Sequence, residues 1–99
     1  MREVPALAKL QREFMMKGVD VVAVNIFAGA GLDYWREYLN KYGGENLIIA
    51  QDSRQKVMRA FRVRFAGTTI VIGREGKEIF RAEQGSSYAA LKRVLEFGF

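Results

Sequence analysis

The side chains most able to bind a ligand are five basic residues in one short stretch: Arg54, Lys56, Arg59, Arg62 and Arg64. On a helix, residues three apart share a face, so Arg59 and Arg62 would present their guanidinium groups together, with Lys56 nearby. Such cations can contact phosphates or another polyanion. The alternative is the solvated face of an ordinary helix. We favour it because no aromatic side chains or known nucleic-acid motif interleave the charges.

The residue types needed for thiol or histidine chemistry do not occur in this sequence. It contains no cysteine and no histidine, which excludes disulfides and thiolate nucleophiles within it and removes the commonest general base. Its acidic residues do not have the spacing of a metal site: Asp33, Glu37, Glu45 and Asp52. We therefore predict no catalytic residue, no metal site and no cofactor for this chain.

Two further patterns could form ligand sites but have simpler interpretations. The turn Gly29-Ala30-Gly31 lies between a predicted strand and a predicted helix, where phosphate loops are found. It lacks the further glycine, or the Gly-Lys-Ser/Thr, of such loops, so we interpret it as a strand-to-helix turn. One predicted helix carries four aromatic residues: Tyr34, Trp35, Tyr38 and Tyr42. We expect the last three to pack in the core or an interface rather than to form a ligand pocket.

An alternation of helices and strands would position these residues. Leu7, Leu10 and Phe14 recur at helical spacing, whereas the β-branched run 19–25 is typical of a strand covered on both faces. The predicted segments are helix 4–17, strand 19–25, helix 32–42, strand 47–50, a helix from Asp52 or Ser53 to Arg62, strands 68–72 and 78–81, and a last helix capped by Ser86 or Ser87. This order, α-β-α-β-α-β-β-α, indicates one α/β domain over residues 1–99, with a mixed sheet flanked by helices.

Length and composition restrict the chain to one small domain with a packed core. It has 99 residues, of which 49% are apolar, and a net charge of +5. The charge gives a general attraction to polyanions. No apolar run reaches the roughly 20 residues of a membrane span, so we expect no membrane partner. The first residues show no signal-peptide pattern, so we expect a cytoplasmic location.

Several segments, in this order, resemble the thioredoxin-like superfamily. They are most similar to the TlpA-like thiol-disulfide oxidoreductases, with the peroxiredoxins as the neighbouring branch. The segments that carry the resemblance are 2–7, 18–25, 38–43, 50–52, 60–63, 68–72 and 74–77. The first resembles the stretch after the family's Cys-x-x-Cys motif, and 60–63 followed by 68–72 resembles the approach to its active-site proline loop. The resemblance implies a truncated thioredoxin-like fold and an ancestry among thiol-disulfide oxidoreductases.

The chain departs from the family at the positions that carry the family's chemistry. The redox pair and the first core strand would lie before Met1, and Gly67 occupies the position of the family's cis-proline. A cis bond costs about 3–4 kcal/mol before a residue other than proline, so we expect a trans bond and a relaxed loop here. The resemblance therefore assigns only degenerate family-site positions: Glu3, Pro5, Gly67, Thr68 and Thr69.

The resemblance also places the missing strand at the centre of the sheet, between the strands 19–25 and 69–72. Strands lie about 4.8 Å apart, so its absence leaves a gap of about 10 Å or makes its neighbours close up. Unpaired apolar strand edges attract another chain. Our first hypothesis is therefore a redox-inactive interaction module that self-associates, most simply as a homodimer. The nature of any other protein partner stays open.

Two other classes of function stay open at this point. The chain could be the C-terminal fragment of a TlpA-like thiol-disulfide oxidoreductase or of a peroxiredoxin-like enzyme, with the redox pair upstream. It could also be a weak, nonspecific polyanion binder, an interpretation that depends on net charge and on the basic stretch alone. For that class we expect no specific nucleic-acid partner.

Overall fold

A computed structural model describes residues 3–27, 29 and 31–97 of the chain. Its elements are α1 (Glu3–Phe14), β1 (Val22–Asn25), α2 (Leu32–Lys41), β2 (Ile48–Gln51), α3 (Lys56–Ala60), β3 (Thr69–Ile72), β4 (Glu78–Ala82) and α4 (Tyr88–Phe97). Short 3-10 turns follow α1 and precede α3. The predicted order α-β-α-β-α-β-β-α is confirmed. Ala30 of the predicted glycine turn lies outside the described residues.

The first and last helices pack together through their apolar faces. Leu10 and Phe14 of α1 are 1% and 3% exposed, and they form one core cluster with Leu91 and Leu95 of α4. Gly18 ends the helical segment with a φ of +86°, which a residue without Cβ adopts without strain. The predicted first helix is confirmed, although its last turn is 3-10.

A second core cluster joins α1 to α2 and to the start of β2. Val4, Leu39 and Leu47 are buried there. The backbone N–H of Gly44 donates to the carbonyl of Leu39 at 2.8 Å and turns the chain after α2. A Cβ on Gly44 would lie 2.7 Å from a methyl group of Val4, so only glycine fits this close approach.

The strands form two separate pairs instead of the single mixed sheet that the sequence predicts. Among the described residues, β1 pairs only with β2, in parallel register, and β3 pairs only with β4, in antiparallel register. Both β1 and β3 border the position that the resemblance gives to the missing central strand. Of the two outcomes expected there, the structure has the open gap, because β1 and β3 do not pair with each other.

The apolar residues that border this gap are more exposed than their composition predicts. Val22 is 49% exposed and Ile72 is 42% exposed, while Val24 and Ile70 are only partly buried. Val71 of β3 packs against the α1–α4 cluster and Ala23 of β1 packs against the α1–α2 cluster, but no described strand covers the edge that faces the gap. The expectation of fully buried strands is therefore wrong for a single copy of the chain.

The last third of the chain follows the predicted hairpin and helix closely. The N–H of Gly73 donates to the carbonyl of Lys77 at 2.8 Å, and Gly76 adopts a φ of +80° in the turn between β3 and β4. Of the two candidate caps of the last helix, the structure uses Ser87, whose Oγ accepts the N–H of Ala90 at 3.1 Å.

Candidate binding cleft between the two sheets

An apolar cleft of about 540 Å³ lies between β1 and β3, and we call it the inter-sheet cleft. Val21, which precedes β1, lines it together with residues 22–24 of β1 and 69–72 of β3. Leucines of α1 and α4 contribute to its walls: Leu7, Leu10, Leu91 and Leu95. Further apolar side chains come from α3 and from the segment after it: Val57, Met58, Phe61, Val63 and Phe65. The space between β1 and β3 is therefore a cavity with hydrophobic walls.

The edge of β1 toward this cleft carries backbone groups that no described strand pairs. The carbonyl of Val21 accepts the N–H of Ile48 at 3.2 Å, on the side of β2. Backbone groups of successive strand residues point to opposite edges. The N–H and C=O groups of Val22 and Val24 therefore point toward the inter-sheet cleft.

The edge of β3 has the same property. Gly73, just after β3, donates its N–H to Lys77 at 2.8 Å and so points toward the β4 side. Alternation then directs the N–H and C=O groups of Ile70 and Ile72 toward the cleft. The register of this hairpin shifts once, because β4 has one residue, Ile79, without a partner on β3. The backbone groups of β3 therefore still alternate between its two edges. Two open strand edges thus face one cavity.

The structure brings together most of the degenerate family-site positions. Four of them line the inter-sheet cleft: Glu3, Gly67, Thr68 and Thr69. Pro5 does not line it and is exposed on α1. The Glu3 carboxylate lies beside Gly85, where a Cβ would collide with it. The structure therefore places four of these five positions along one cavity.

The loop at the former cis-proline position is relaxed, as predicted. The described peptide bonds, including the one before Gly67, are trans. The carbonyl of Gly67 accepts the N–H of Gly85 at 2.7 Å. A Cβ on Gly67 would lie 3.6 Å from its nearest neighbour, an ordinary van der Waals distance. Glycine is therefore not required here by space, and the loop is held by this backbone hydrogen bond.

Charge is confined to the two ends of the cleft. Of its described lining residues, only Glu3, Asp20 and Arg74 carry a charge. Glu3 lies near the start of β3, whereas Asp20 precedes β1 and Arg74 follows β3. The middle of the cavity offers hydrophobic side chains and backbone polar groups, a combination that suits an uncharged ligand with amide groups of its own.

The basic stretch does not form the single helical face that the sequence predicts. α3 ends before Arg62, which has a left-handed φ of +53°, so Arg59 and Arg62 do not share a helix face. Arg59 donates to the carbonyl of Arg54 at 2.7 Å, and Arg64 contacts Glu83 at 3.4 Å. All five basic side chains are exposed. This geometry favours the interpretation of the basic stretch as solvated surface.

Asp52 positions the apolar side chains of α3 in the cleft wall. It is 5% exposed. Its two carboxylate oxygens accept the N–H groups of Val57 at 2.7 Å and of Met58 at 3.0 Å. Of the two predicted caps, Asp52 is the one whose side chain binds N–H groups of the third helix, although it precedes the intervening 3-10 turn and the N-cap residue of α3 is Gln55.

Sequence reasoning missed Gln11, which is 4% exposed although it lies among polar residues of α1. Its Oε1 accepts the N–H of Val21 at 2.5 Å and so ties α1 to the start of β1. A signal was available, since Gln11 precedes the buried Phe14 by three residues and shares its face of the helix.

Arg81 is the second polar residue that the sequence did not reveal. Its guanidinium donates to the carbonyl of Phe61, which lines the cleft, and to the Glu78 carboxylate at 2.8 Å. The hydrogen bond from Arg81 to Glu78 lowers the pKa of Glu78 below its ordinary value. No local pattern predicts this contact, because it joins β4 to the segment after α3.

The aromatic residues of α2 pack as predicted. The indole N–H of Trp35 donates to the carbonyl of Ala23 at 3.0 Å. Its ring stacks on Tyr38, with ring centroids 5.4 Å apart, and Tyr38 contacts Tyr42 at 5.0 Å. Burial raises the pKa of Tyr38, as expected for a packed phenol. These rings support α2 against β1, and Trp35 also lines the inter-sheet cleft.

Neither a metal centre nor a membrane span is found in the part of the chain that the structure describes. Nowhere in ranges 3–27, 29 and 31–97 do three acidic side chains converge as metal ligands. None of the helices in these ranges has the length and apolar character needed to cross a bilayer.

Comparison with known proteins supports the fold. A family model described as Redoxin matches residues 1–95. The crystal structure of StoA from Bacillus subtilis is similar, with a TM-score of 0.72 and 18% sequence identity. The match covers 92% of this chain and 68% of the StoA chain. None of the curated protein sequences matches the chain. The predicted thioredoxin-like α/β fold is confirmed.

Proposed function

Because the chain belongs to the Redoxin family yet contains no cysteine, we propose that it is a redox-inactive interaction module that binds protein through the inter-sheet cleft. Disulfide exchange requires an attacking thiolate, and so does peroxide reduction of the peroxiredoxin type. This sequence supplies none. The thioredoxin-like fold then serves as a scaffold for binding.

The observation that carries this proposal is the open cleft between β1 and β3. Val22 and Ile72 are about half exposed there, at 49% and 42%, and both belong to strands with an unpaired edge. Soluble proteins protect such edges, because an unpaired apolar edge is a template for another chain. The cleft is therefore better suited to a protein ligand than to a small charged substrate.

In the absence of another ligand, this surface favours self-association into a two-fold dimer. A few hundred Å² of apolar surface, at about 25 cal/mol per Å², is equivalent to several kcal/mol, comparable to the whole stability of a small domain. A second copy covers that surface without any new sequence, and closed symmetry stops growth into aggregates.

The test combines a redox assay with sedimentation of matched variants. The purified chain, verified by mass, is assayed for insulin reduction with dithiothreitol and for peroxide consumption. Sedimentation across a concentration series then compares the wild type with Ile72→Lys and Ile79→Lys. The two isoleucines are equally exposed, at 42%, and lie on the same hairpin, but only Ile72 lines the cleft.

We expect redox rates equal to the buffer control, a dimer for the wild type and for Ile79→Lys, and a monomer for Ile72→Lys. Insulin reduction clearly above the control would disprove the redox-inactive part of the proposal. A wild type that stays a monomer at tens of micromolar, and that gains no other ligand, would disprove the interaction part.

A further inference from the structure

We propose that the inter-sheet cleft accepts one extended, uncharged apolar segment of another polypeptide, which pairs with β1 on one edge and with β3 on the other. The inserted segment would join the two separate sheets into one sheet of five strands. This inference rests on the proposed function and specifies the chemistry of the partner that the cleft binds.

The first argument is that two strand edges face the same cavity. The N–H and C=O groups of Val22 and Val24 point into it from β1, and those of Ile70 and Ile72 point into it from β3. A single extended strand alternates its own backbone groups between its two edges. One inserted segment can therefore form backbone hydrogen bonds with β1 and with β3 at the same time. A helix can form neither set, because its backbone groups are already paired within the helix.

The second argument concerns length. β1 and β3 each have four residues. At about 3.3 Å per residue, such strands extend for about 13 Å, so the cleft fits a segment with four or five residues in contact. The cavity of about 540 Å³ has the size of a site for a short peptide rather than for a folded domain.

The third argument is the distribution of charge and hydrophobicity. The walls are apolar along the whole middle of the cleft, and the three charged lining residues stand only at its ends: Glu3, Asp20 and Arg74. A buried charge without a partner is costly, so the central residues of the segment must be uncharged. Side chains of a strand alternate between faces, and apolar walls require β-branched or other apolar residues at each central position.

The fourth argument is the direction of the two edges. Val19 just before β1 and Arg74 just after β3 line one small cavity, so the start of β1 and the end of β3 lie at the same end of the molecule. β1 and β3 therefore run in opposite directions. An inserted segment pairs in parallel with one and antiparallel with the other, which gives the mixed sheet that the sequence predicts.

A free segment fits this site better than a folded second copy does. Every described strand of the chain already has a strand neighbour, so another copy would bring a paired strand into a gap that holds one strand, about 10 Å wide between neighbours. A second copy can cover the opening of the cleft, but it cannot form strand hydrogen bonds with both β1 and β3. We therefore expect the free segment to displace self-association.

The test uses a capped synthetic peptide, acetyl-Lys-Lys-Val-Ile-Val-Ile-Lys-Lys-amide, added to the whole isotopically labelled chain. Its lysines are repelled by the net charge of +5 on the protein, so binding does not report nonspecific charge attraction. The control peptide has the same sequence with the second and fourth central residues N-methylated, which removes ladder donors and keeps the side chains. Amide NMR spectra, hydrogen exchange and sedimentation are recorded.

We expect the plain peptide to shift and protect the amides on the cleft edges, at Val22, Val24, Ile70 and Ile72, and to convert dimers into monomeric complexes. The N-methylated peptide binds at least about tenfold more weakly, which corresponds to about 1.4 kcal/mol. Val22→Lys weakens binding by a similar factor. Ile48→Lys, the matched change at the register partner of Val22 on the outer strand, does not.

Three outcomes overturn the inference, and none of them coincides with failure of the proposed function. Equal binding of the two peptides shows contact without strand pairing. Protection confined to residues outside β1 and β3 places the ligand elsewhere. No binding of either peptide to a chain that still dimerises through Ile72 leaves self-association intact and excludes the inserted segment. Failure of the proposed function itself is seen separately, as redox activity of the chain without peptide or as a chain that stays monomeric and binds neither peptide.

Discussion

Individual polar contacts hold the two long helices together at the surface, and the bond from Tyr88 to Glu13 is the clearest of them. The hydroxyl of Tyr88 on α4 donates to the Glu13 carboxylate on α1. The ammonium of Lys9 lies 4.3 Å from the centre of the same ring. The hydrogen bond to Glu13 raises the pKa of Tyr88, because ionised tyrosine cannot donate it and is repelled by the carboxylate.

We predict that Glu13→Gln lowers the pKa of Tyr88 toward the ordinary value near 10. In the wild type, the pKa of Tyr88 is higher in the folded state than in the unfolded state. The contribution of this bond to the unfolding free energy is therefore complete below about pH 10 and is lost as the pH rises through the folded-state pKa. NMR titration of the tyrosine rings measures the change. Tyr38, whose pKa is raised chiefly by burial, is the internal control. Identical Tyr88 titrations in the two proteins would contradict this prediction.

At the scale of single elements, α3 is the one whose formation depends most on a tertiary contact. It has five residues, too few to be stable alone. The buried Asp52 carboxylate accepts two of its N–H groups, from Val57 and Met58. The cap therefore determines whether these two side chains stay in the wall of the inter-sheet cleft.

We predict that Asp52→Ala lowers the unfolding free energy by about 1–2 kcal/mol, and that Asp52→Asn, which keeps one acceptor oxygen, loses less. Urea unfolding measures both. Asp33→Ala is the matched control, because Asp33 is exposed and, among the residues that the structure describes, forms an ion pair only with Arg36, at 3.2 Å. Equal losses for Asp52→Ala and Asp33→Ala would show that the cap does not support α3.

The elements also show what the sequence alone can predict. Element order follows from local periodicity, and it was correct throughout. The third helix was predicted too long because a candidate cap and the spacing of its apolar residues favour a helix as far as about Arg62. In the structure, Arg54, Gln55 and Arg62 adopt left-handed φ values, which interrupt it. The resemblance named positions near Gly67 that the structure places together at one end of the cleft. The contacts of Gln11 with Val21 and of Arg81 with Phe61 did not follow from it, because each contact joins two different elements.

The basic stretch is an element-scale feature with its own expected behaviour. Its five cations are exposed, are not on one helix face, and in part contact carbonyl and carboxylate groups of the chain itself. We predict that any binding to unrelated DNA duplexes is alike for different sequences and falls steeply between low and physiological salt. A titration at two salt concentrations tests this. Tight binding to one sequence at physiological salt would contradict it.

At the scale of the whole molecule, the described residues form two strand pairs and four α-helices, with an apolar cleft between β1 and β3. One core cluster lies between α1 and α4 and the other lies between α1 and α2. Neither cluster fills the space between β1 and β3. The stability of this fold is therefore expected to depend on what covers the cleft.

We predict a melting temperature that rises with protein concentration, because folding is coupled to association through the cleft. Each tenfold increase adds about 1.4 kcal/mol per dimer, which for two domains of this size corresponds to about 3 °C. Calorimetry over a hundredfold range of concentration measures the slope. Ile72→Lys removes the slope, whereas Ile79→Lys, with the same 42% exposure but outside the cleft, retains it. A wild type that melts cooperatively at the same temperature at every concentration would contradict this prediction. It would show that each copy is stable with its cleft open and that association adds nothing to the unfolding free energy.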